Sequence, residues 1–308
     1  MKDVIGIGSA FVDYFFDVDE SFLQRVHLSP EDSRAITPQE FTTTFSELPV
    51  LAKSPGGSTL ITLATLASLS IPVGYAGITG DDTDGLFWET NLSSVSLQLQ
   101  KKGETARSAC LLSNNRENRS FLYTQDKKEN DFFDDVDFDI LNNCKLLHIT
   151  PFYNDTEVTL EKLIKLTDHI EKPKISFNPA LVYSMLGLKK LAPILKRTEI
   201  IFFSKEELSL LFTDIKKGSK ELVTYGPKIV VCTLGEKGAL ITSRDKQILV
   251  ATKPVTNIID TTGAGDAFAA GFLSGILQNK SLEESANIAN KIAGKSITNF
   301  GLNWIYSK

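Results

Sequence analysis

The stretch Asp260-Thr-Thr-Gly-Ala-Gly-Asp266-Ala-Phe268 leads directly into an apolar helical pattern over residues 267–277. Glycines allow backbone N–H groups to turn toward a common point, and a helix N-terminus adds partial positive charge there. The stretch therefore predicts an anion pocket at the start of a helix. Asp266 has two interpretations: a general base that takes a proton from an attacking hydroxyl, or a cap that closes a glycine-rich turn.

Outside this stretch, short apolar runs alternate with helical patterns. Strands are predicted at residues 4–8, 146–149, 174–177, 200–203 and 229–233. Helices are predicted at residues 60–69, 160–170, 188–197, 205–211 and 282–297. This alternation predicts an α/β fold with a mainly parallel sheet and helices on both faces.

Three segments depart from the alternation. Residues 11–37 and 105–125 are predicted to be strand pairs with polar turns, one of them at Asn114-Asn115. The acidic segment 131–139 fits either a metal site or a solvated segment that returns from these strands to the core. We favour the solvated segment.

Composition limits the classes of function. The 308 residues are 42% hydrophobic and 23% charged, which is within reach of one large α/β unit. The net charge of −5 gives no support for binding to nucleic acid or to a membrane surface. No apolar run approaches the roughly 18–20 residues of a membrane span, and no signal-peptide pattern is visible. These features predict a cytoplasmic protein whose three cysteines are buried free thiols.

Six motifs in order carry a resemblance to a known family. They are Val4-Ile-Gly-Ile-Gly-Ser-Ala-Phe-Val-Asp13, Gly56-Gly57-Ser58, Gly74-Tyr-Ala-Gly-Ile-Thr-Gly-Asp-Asp-Thr-Asp-Gly85, Ser204-Lys-Glu-Glu207, Thr233-Leu-Gly235-Glu-Lys-Gly238 and the 260–268 stretch. Together they resemble the PfkB (ribokinase-like) family of sugar and nucleoside kinases, and the N-terminal third is most similar to the adenosine-kinase-like branch. The resemblance implies one ribokinase-like three-layer αβα domain over residues 1–308. It also implies a small inserted β-sheet lid formed by about 11–37 and 105–125.

The resemblance also implies roles for individual residues. Asp266 is then the catalytic base, and backbone N–H groups of Gly263, Ala264, Gly265 and Asp266 form the anion hole. Asp13 accepts hydrogen bonds from two hydroxyls of the substrate, beside Gly56, Gly57 and Ser58. ATP is the expected donor, and its implied binding residues are Asn178, Ser204, Thr233, Gly235, Gly238 and Asn290. Glu207 is expected to order Mg²⁺ through water, and Asp260 with the Thr262 carbonyl matches the usual ligands of a monovalent cation such as potassium.

Two positions depart from the family pattern. The family commonly has asparagine where this chain has Ile61, and again where it has Ser204. Loss of an amide contact to a polyol weakens sugar binding or indicates another substrate, because an unpaired buried hydroxyl costs about 1–3 kcal/mol. Thr59 or Thr62 could replace the missing contact.

The expected activity is that of an ATP-dependent kinase acting on a hydroxymethyl group of a nucleoside or sugar, with an adenosine-kinase-like acceptor favoured. The alternatives are a ribokinase- or fructokinase-like sugar kinase and a catalytically weak nucleotide- or sugar-binding homologue. Five aromatic residues could either stack on a base or form the core of the lid: Phe11, Phe15, Phe16, Phe121 and Tyr123. The expected partners are small molecules, neither nucleic acid nor membrane, with a homodimer through the strand edges of the lid.

Overall fold

The computed structural model describes residues 2–114, 116, 118–124 and 127–306. Asn115 of the predicted turn, and residues 117 and 125 of the predicted strand pair over 105–125, lie outside the described residues.

The described chain contains strands β1 to β14 and helices α1 to α13. The strands are β1 Lys2–Ile7, β2 Phe11–Asp17, β3 Ser33–Ile36, β4 Ala52–Gly56, β5 Val73–Thr79, β6 Ser96–Lys101, β7 Ala106–Ser113, β8 Asn118–Thr124, β9 Cys144–Ile149, β10 Lys174–Phe177, β11 Thr198–Ser204, β12 Ile229–Thr233, β13 Ala239–Ser243 and β14 Gln247–Val250. The helices are α1 Glu20–Arg25, α2 Pro38–Phe45, α3 Ser58–Ser68, α4 Thr83–Thr90, α5 Phe138–Asn142, α6 Thr156–Asp168, α7 Ala180–Ser184, α8 Leu188–Leu195, α9 Lys205–Ser209, α10 Ile215–Thr224, α11 Ala264–Leu277, α12 Leu282–Ser296 and α13 Asn303–Tyr306. Short 3₁₀ helices span Lys127–Asp134 and Gly235–Lys237.

A nine-stranded sheet forms the centre of the protein, in the order β14-β13-β12-β11-β10-β9-β1-β5-β6. The seven strands from β12 to β6 run parallel; the pairs β12–β13 and β13–β14 are antiparallel, so β13 runs opposite to the other strands of this described sheet. Helices α3, α11 and α12 pack on one face, and α6, α8 and α10 pack on the other. The predicted three-layer α/β fold with a mainly parallel sheet is confirmed.

A second sheet of five strands has the order β3-β8-β7-β2-β4. Its alternating side chains give it two different faces. On β2, Phe16 packs against Phe45 of α2 in a small apolar core, whereas Phe11 and Asp13 project from the opposite face toward the main domain. Helices α1 and α2 cover the first face and leave the second face over the carboxyl ends of the parallel strands.

The pairing predicted within residues 11–37 is wrong. Helix α1 lies between β2 and β3, and these strands do not pair with each other. Strand β2 pairs with β4 and β7, whereas β3 pairs with β8. The strand pair predicted over 105–125 is confirmed as the antiparallel hairpin β7–β8 within its described residues.

The acidic segment 131–139 connects β8 to the core. Its Phe132 is buried against Phe152, and most of its carboxylates are exposed. No cluster of His, Cys, Asp and Glu suited to a metal ion occurs among the described residues. The three cysteines are free and buried, as predicted. Within the described chain, no helix is both long and apolar enough to cross a membrane.

Candidate active site

Three cavities adjoin one another where the small sheet covers the carboxyl ends of the parallel strands, the usual position of ligands in α/β folds. The inner cavity of about 240 Å³ faces the small sheet, the central cavity measures about 560 Å³, and the outer cavity measures about 290 Å³. Asp266 lines both the inner and the central cavity, and Gly265 lines both the central and the outer cavity. The start of α11 therefore lies at the junction of all three cavities.

A side chain would have different effects at Gly263 and at Gly265, which both lie at this junction. Gly263 has a φ of +72°, which favours glycine, and a Cβ there would lie 2.7 Å from Ile61 Cδ1. Gly265 faces open space, so a side chain there would project into the cavities. The N–H of Ala264 donates to the carbonyl oxygen of Thr261 at 3.2 Å. The N–H groups of the next residues in this first helical turn are those that a helix leaves for an anion.

Asp266 is a buried carboxyl beside other acids. Burial, followed by the charges of Glu207 and Asp13, raises its pKa to about 8 against the opposing effect of hydrogen bonds from Ser58 and Asn178. The amide nitrogen of Asn178 lies 3.4 Å from Asp266 Oδ1. A carboxyl with this pKa can exchange a proton near neutral pH, as a general base requires.

Asp13 lies on β2 in the inner cavity, and its pKa is raised to about 7 by burial and by the charge of Asp260. A hydrogen bond with Ser108, its neighbour on β7, lowers the pKa. A Cβ on Gly56 would lie only 2.1 Å from Asp13 Oδ2, and a Cβ on Gly57 would lie 2.4 Å from the Ser9 carbonyl oxygen. Gly56 therefore leaves space for the Asp13 carboxylate, and Gly57 allows close approach to the main chain at Ser9.

Glu207 lines the central cavity together with Asp266 and is held at the N-terminus of α9. Ser204 N donates to Glu207 Oε2 at 2.7 Å, and Glu207 N donates to Ser204 Oγ at 3.2 Å, which forms a capping box. Burial raises the pKa of Glu207 to about 7. A buried carboxylate held at the wall of a cavity suits Mg²⁺ that keeps its water ligands and is shared with nucleotide phosphates, so Glu207 fits the metal.

The other residues predicted for the nucleotide lie along the central and outer cavities. Thr233 lines both, Asn178 and Ser204 line the central cavity, and the outer cavity is lined by Gly235, Gly238 and Asn290. Gly238 has a φ of +90°, and a Cβ there would lie 2.0 Å from the Val250 carbonyl oxygen. The Asn290 amide donates to the Ala251 carbonyl oxygen at 3.1 Å, so it fixes the wall of the outer cavity.

Asp260 does not offer a free carboxylate to a cation. Its Oδ1 accepts from Arg119 Nε at 3.1 Å and from Thr262 N at 2.9 Å, and its Oδ2 accepts from Gly301 N at 3.2 Å. A monovalent cation needs oxygen lone pairs and the absence of a neighbouring positive charge. The residues at Asp260 therefore do not fit the predicted potassium ion.

Ile61 lines the inner cavity, and neither Thr59 nor Thr62 replaces the amide that the family usually has there. Thr59 is fully buried and donates to the Ile7 carbonyl oxygen, and Thr62 donates to the main-chain carbonyl oxygen of Asp266. Both hydroxyls therefore stabilise the fold, and the expectation that one of them contacts the substrate is wrong. The cavity wall at Ile61 is apolar.

Comparisons with known proteins show the family to which the chain belongs. Residues 34–305 match the family described as pfkB family carbohydrate kinase. The chain belongs to the PfkB family. A protein of Archaeoglobus fulgidus described as an uncharacterized sugar kinase is 30% identical, over 77% of this chain and 95% of that protein.

Adenosine kinases are among the similar proteins. The adenosine kinase of Saccharomyces cerevisiae is 24% identical, over 97% of this chain and 95% of that protein. The crystal structure of Anopheles gambiae adenosine kinase superposes with a TM-score of 0.85 at 18% identity, over 99% of this chain and 98% of that chain. This PfkB protein is thus a phosphotransferase of the carbohydrate and nucleoside kinase class, for which ATP use is expected.

Three residues of this PfkB site were not predicted. Ser108 contacts Asp13, Tyr153 lines the inner and central cavities, and Arg119 pairs with Asp260. Tyr153 follows β9 at its carboxyl end, which is a signal that the sequence offered. Ser108 and Arg119 become visible only with the strand register, because their partners lie far away in the chain.

The raised carboxyl pKa values predict that the unliganded protein loses stability as pH rises. An unfolded carboxyl titrates near pH 4, whereas Asp13, Glu207 and Asp266 titrate at about 7, 7 and 8 in the folded state. Between about pH 4 and 8 these three carboxyls bind more protons in the folded state than in the unfolded state. They outweigh the opposite contribution of the single His148, whose pKa burial lowers to about 3, so the free energy of unfolding falls with pH. Thermal melts without nucleotide should show a melting temperature that declines across this window.

The matched variants for this prediction are Asp266→Asn and Asp245→Asn, which lies in the exposed turn between β13 and β14. Asp266→Asn should show a shallower decline with pH, and Asp245→Asn should follow the wild type. An Asp266→Asn decline as steep as that of the wild type would show that this carboxyl titrates normally.

Proposed function

We propose that the protein transfers the γ-phosphoryl group of ATP to the hydroxymethyl group of a nucleoside. The observation that carries this proposal is the inner cavity, in which an aromatic wall faces the carboxylates of Asp13 and Asp266. The rings of Phe11 and Tyr153 meet edge to face at 5.4 Å, and those of Tyr123 and Tyr153 at 5.5 Å. Such a wall offers a flat base an apolar surface, and Asp13 offers acceptors for ribose hydroxyls.

The aromatic residues divide into two groups. Phe11, Phe121 and Tyr123 line the inner cavity, whereas Phe15 and Phe16 are fully buried, Phe15 against Phe300 and Phe16 against α2. The cavity wall therefore keeps enough aromatic surface to hold a base.

Ile61 favours a nucleoside over a simple polyol. Its side chain offers no hydrogen bond, and the neighbouring Thr59 and Thr62 hydroxyls already donate to main-chain oxygens. A sugar hydroxyl that faced Ile61 would be buried without a partner, at a cost of about 1–3 kcal/mol. An acceptor that presents an apolar edge at this point avoids the penalty.

Asp266 is proposed as the base because it lies between the acceptor and donor cavities. It takes the proton of the acceptor hydroxyl while the hydroxyl oxygen forms a bond to the γ-phosphorus and the bond from that phosphorus to the β–γ bridging oxygen breaks, releasing ADP. The N–H groups at the start of α11 lie where they stabilise the charge of the transferring phosphoryl group. The nucleotide then extends from the central cavity into the outer cavity, along Thr233 and Asn290.

Glu207 is the residue proposed to hold Mg²⁺, through water. When bound, the ion neutralises charge on the nucleotide phosphates. The capping box keeps the Glu207 carboxylate at the cavity wall before any ligand arrives.

A coupled assay of ADP release over a panel of nucleosides and sugars tests the acceptor class. Purine and pyrimidine nucleosides should give kcat/KM values at least about 10-fold above ribose and fructose, since one missing buried hydrogen bond is worth about that factor. Ile61→Asn should restore an amide contact and raise the kcat/KM values of the sugars, so that the difference between nucleosides and sugars becomes smaller. Sugars preferred by the wild type would overturn the nucleoside proposal.

A sugar kinase is the second candidate, because the 30% identical relative from Archaeoglobus fulgidus is described as a sugar kinase. In that case Asp13 would bind two hydroxyls of a free sugar, and the aromatic wall would serve only to exclude water. The same panel decides between the two candidates.

The small sheet is proposed to act as a lid, formed by residues 11–37, the hairpin within 105–125 and also β4. Closure would keep water from the phosphoryl group. Hydrogen exchange in β2 and β8 should slow when acceptor is added, and unchanged exchange in both strands would contradict closure.

A homodimer through the edge strands of this lid remains a proposal, supported by the position of β3 and β4 at the two edges of the small sheet. Sedimentation at micromolar concentration should give twice the chain mass of 33.9 kDa. A species of one chain mass would exclude the dimer.

A further inference from the structure

The salt bridge between Arg119 and Asp260 joins the small sheet to the stretch that begins α11. Arg119 lies on β8, and Asp260 lies 141 residues away at the head of the 260–268 stretch. The Asp260 side chain is fully buried and that of Arg119 is 13% exposed. A buried carboxylate requires a positive partner, and Arg119 is placed to provide it.

The contacts of the Arg119 guanidinium resemble those of a bound cation. Nε donates to the Asp260 carboxylate, and Nη2 donates to the Ile259 carbonyl oxygen, also at 3.1 Å. One carboxylate oxygen and one main-chain oxygen are thus satisfied by a charge that belongs to the protein. A free ion beside this guanidinium would meet like-charge repulsion in a poorly solvated place.

The ion pair also reaches the catalytic stretch. Asp260 Oδ1, the oxygen bound by Arg119, accepts from Thr262 N at 2.9 Å, and Thr262 is followed directly by Gly263, the N-cap of α11. Asp260 Oδ2 accepts from Gly301 N, so the carboxylate connects three segments of chain. Loss of the positive charge next to Asp260 should therefore shift the N-terminus of α11.

We propose that Arg119 is a positioning residue that replaces a monovalent cation at Asp260, so that this enzyme works without potassium. The part of this proposal that concerns the reaction rate rests on the proposed phosphoryl transfer, whereas the part that concerns the ion pair at Asp260 does not. Removal of the guanidinium leaves Asp260 as an uncompensated buried carboxylate with a main-chain oxygen beside it, and this is a site that potassium can fill. The Arg119 variant should therefore respond to potassium, whereas the wild type should not.

The test compares the wild type, Arg119→Gln and the control Arg116→Gln in potassium chloride and in tetramethylammonium chloride at equal ionic strength. Arg116 lies in the same hairpin but pairs with the exposed Asp17 and makes no hydrogen bond to Asp260. Two readouts are taken: the rate of acceptor-dependent ADP release and the melting temperature without ligands. The melting temperature reports on the Asp260 site even if no acceptor is phosphorylated.

The wild type and Arg116→Gln should give the same rate and the same melting temperature in both salts. Arg119→Gln should lose on the order of 10²-fold in rate in tetramethylammonium, the size of effect expected when a catalytic group is misplaced by about 1 Å. Potassium should recover part of that rate and raise the melting temperature of this variant alone. A wild-type rate that depends on potassium, or an Arg119→Gln melting temperature indifferent to potassium, would overturn the proposal.

Arg119→Lys provides a second variant if Arg119→Gln does not fold. It keeps a positive charge on β8 and should stay indifferent to potassium in both readouts. A potassium-specific rise in its melting temperature would contradict the replacement of the ion by the side-chain charge.

Discussion

Asp266→Asn should abolish phosphoryl transfer, with kcat lowered by about 10²–10⁴-fold, the usual contribution of a general base. The amide keeps the shape of the carboxyl but cannot take a proton from the acceptor. Nucleotide affinity should be unchanged or tighter, because the variant removes a negative charge next to the site proposed for the phosphates and next to Glu207.

The measurement for Asp266→Asn is kcat from the coupled assay together with calorimetric binding of a non-hydrolysable ATP analogue. Ser58→Ala is the matched control, because it removes a hydrogen bond to the same carboxyl and leaves the base in place. It should cost much less in kcat than Asp266→Asn. Retention by Asp266→Asn of more than about a tenth of the wild-type kcat would remove this residue from the role of base.

Asp13→Ala should raise the KM for the acceptor strongly and leave the KM for ATP nearly unchanged. Asp13 lines the inner cavity and not the central or outer one, so its loss removes hydrogen bonds from one substrate only. Two charge-assisted hydrogen bonds are worth about 1.5–3 kcal/mol each, which corresponds to at least about a 10²-fold loss in acceptor kcat/KM.

Gly56→Ala is an independent test of the position of the Asp13 carboxylate in the inner cavity. Its Cβ would lie 2.1 Å from Asp13 Oδ2, so the carboxylate must move and acceptor binding should weaken in the same direction. The control Gly74→Ala has a Cβ no closer than 3.5 Å to any neighbour and should leave both KM values unchanged. Equal effects of Asp13→Ala on the KM values of ATP and acceptor would mean that Asp13 has a structural role.

The parallel sheet could be predicted from sequence because its strands are locally distinct. Ile229–Thr233 is a largely apolar run that ends before Gly235, Lys174–Phe177 ends at Asn178-Pro179, and the structure has both strands with the predicted bounds. Strand β4 could not be found in this way, because Ala52–Gly56 contains Pro55 and Gly56, which are unfavourable in most strands. It is tolerated at the edge of the small sheet, where it pairs on one side only.

The same holds for the active site: residues encoded in one local stretch could be predicted from the sequence, whereas contacts between distant segments could not. The loop at 260–266 carries its information locally in glycines and an aspartate. The partner of Asp260 is set by the register of β8 on β7, which depends on contacts between distant segments. For this reason the sequence predicted an ion where the structure has an arginine, and it left Thr59 and Thr62 open as substrate contacts although both bind main-chain oxygens.

Phosphoryl transfer to an acceptor hydroxyl by the site around Asp266 is tested most directly by ³¹P NMR of the reaction products. With ATP, Mg²⁺ and a nucleoside, the wild type should form a phosphomonoester of the nucleoside in amounts equal to ADP, and Asp266→Asn should form neither. ADP that appears only with inorganic phosphate would show hydrolysis of ATP instead of transfer to the nucleoside. A phosphomonoester formed equally well by Asp266→Asn would exclude Asp266 as the base.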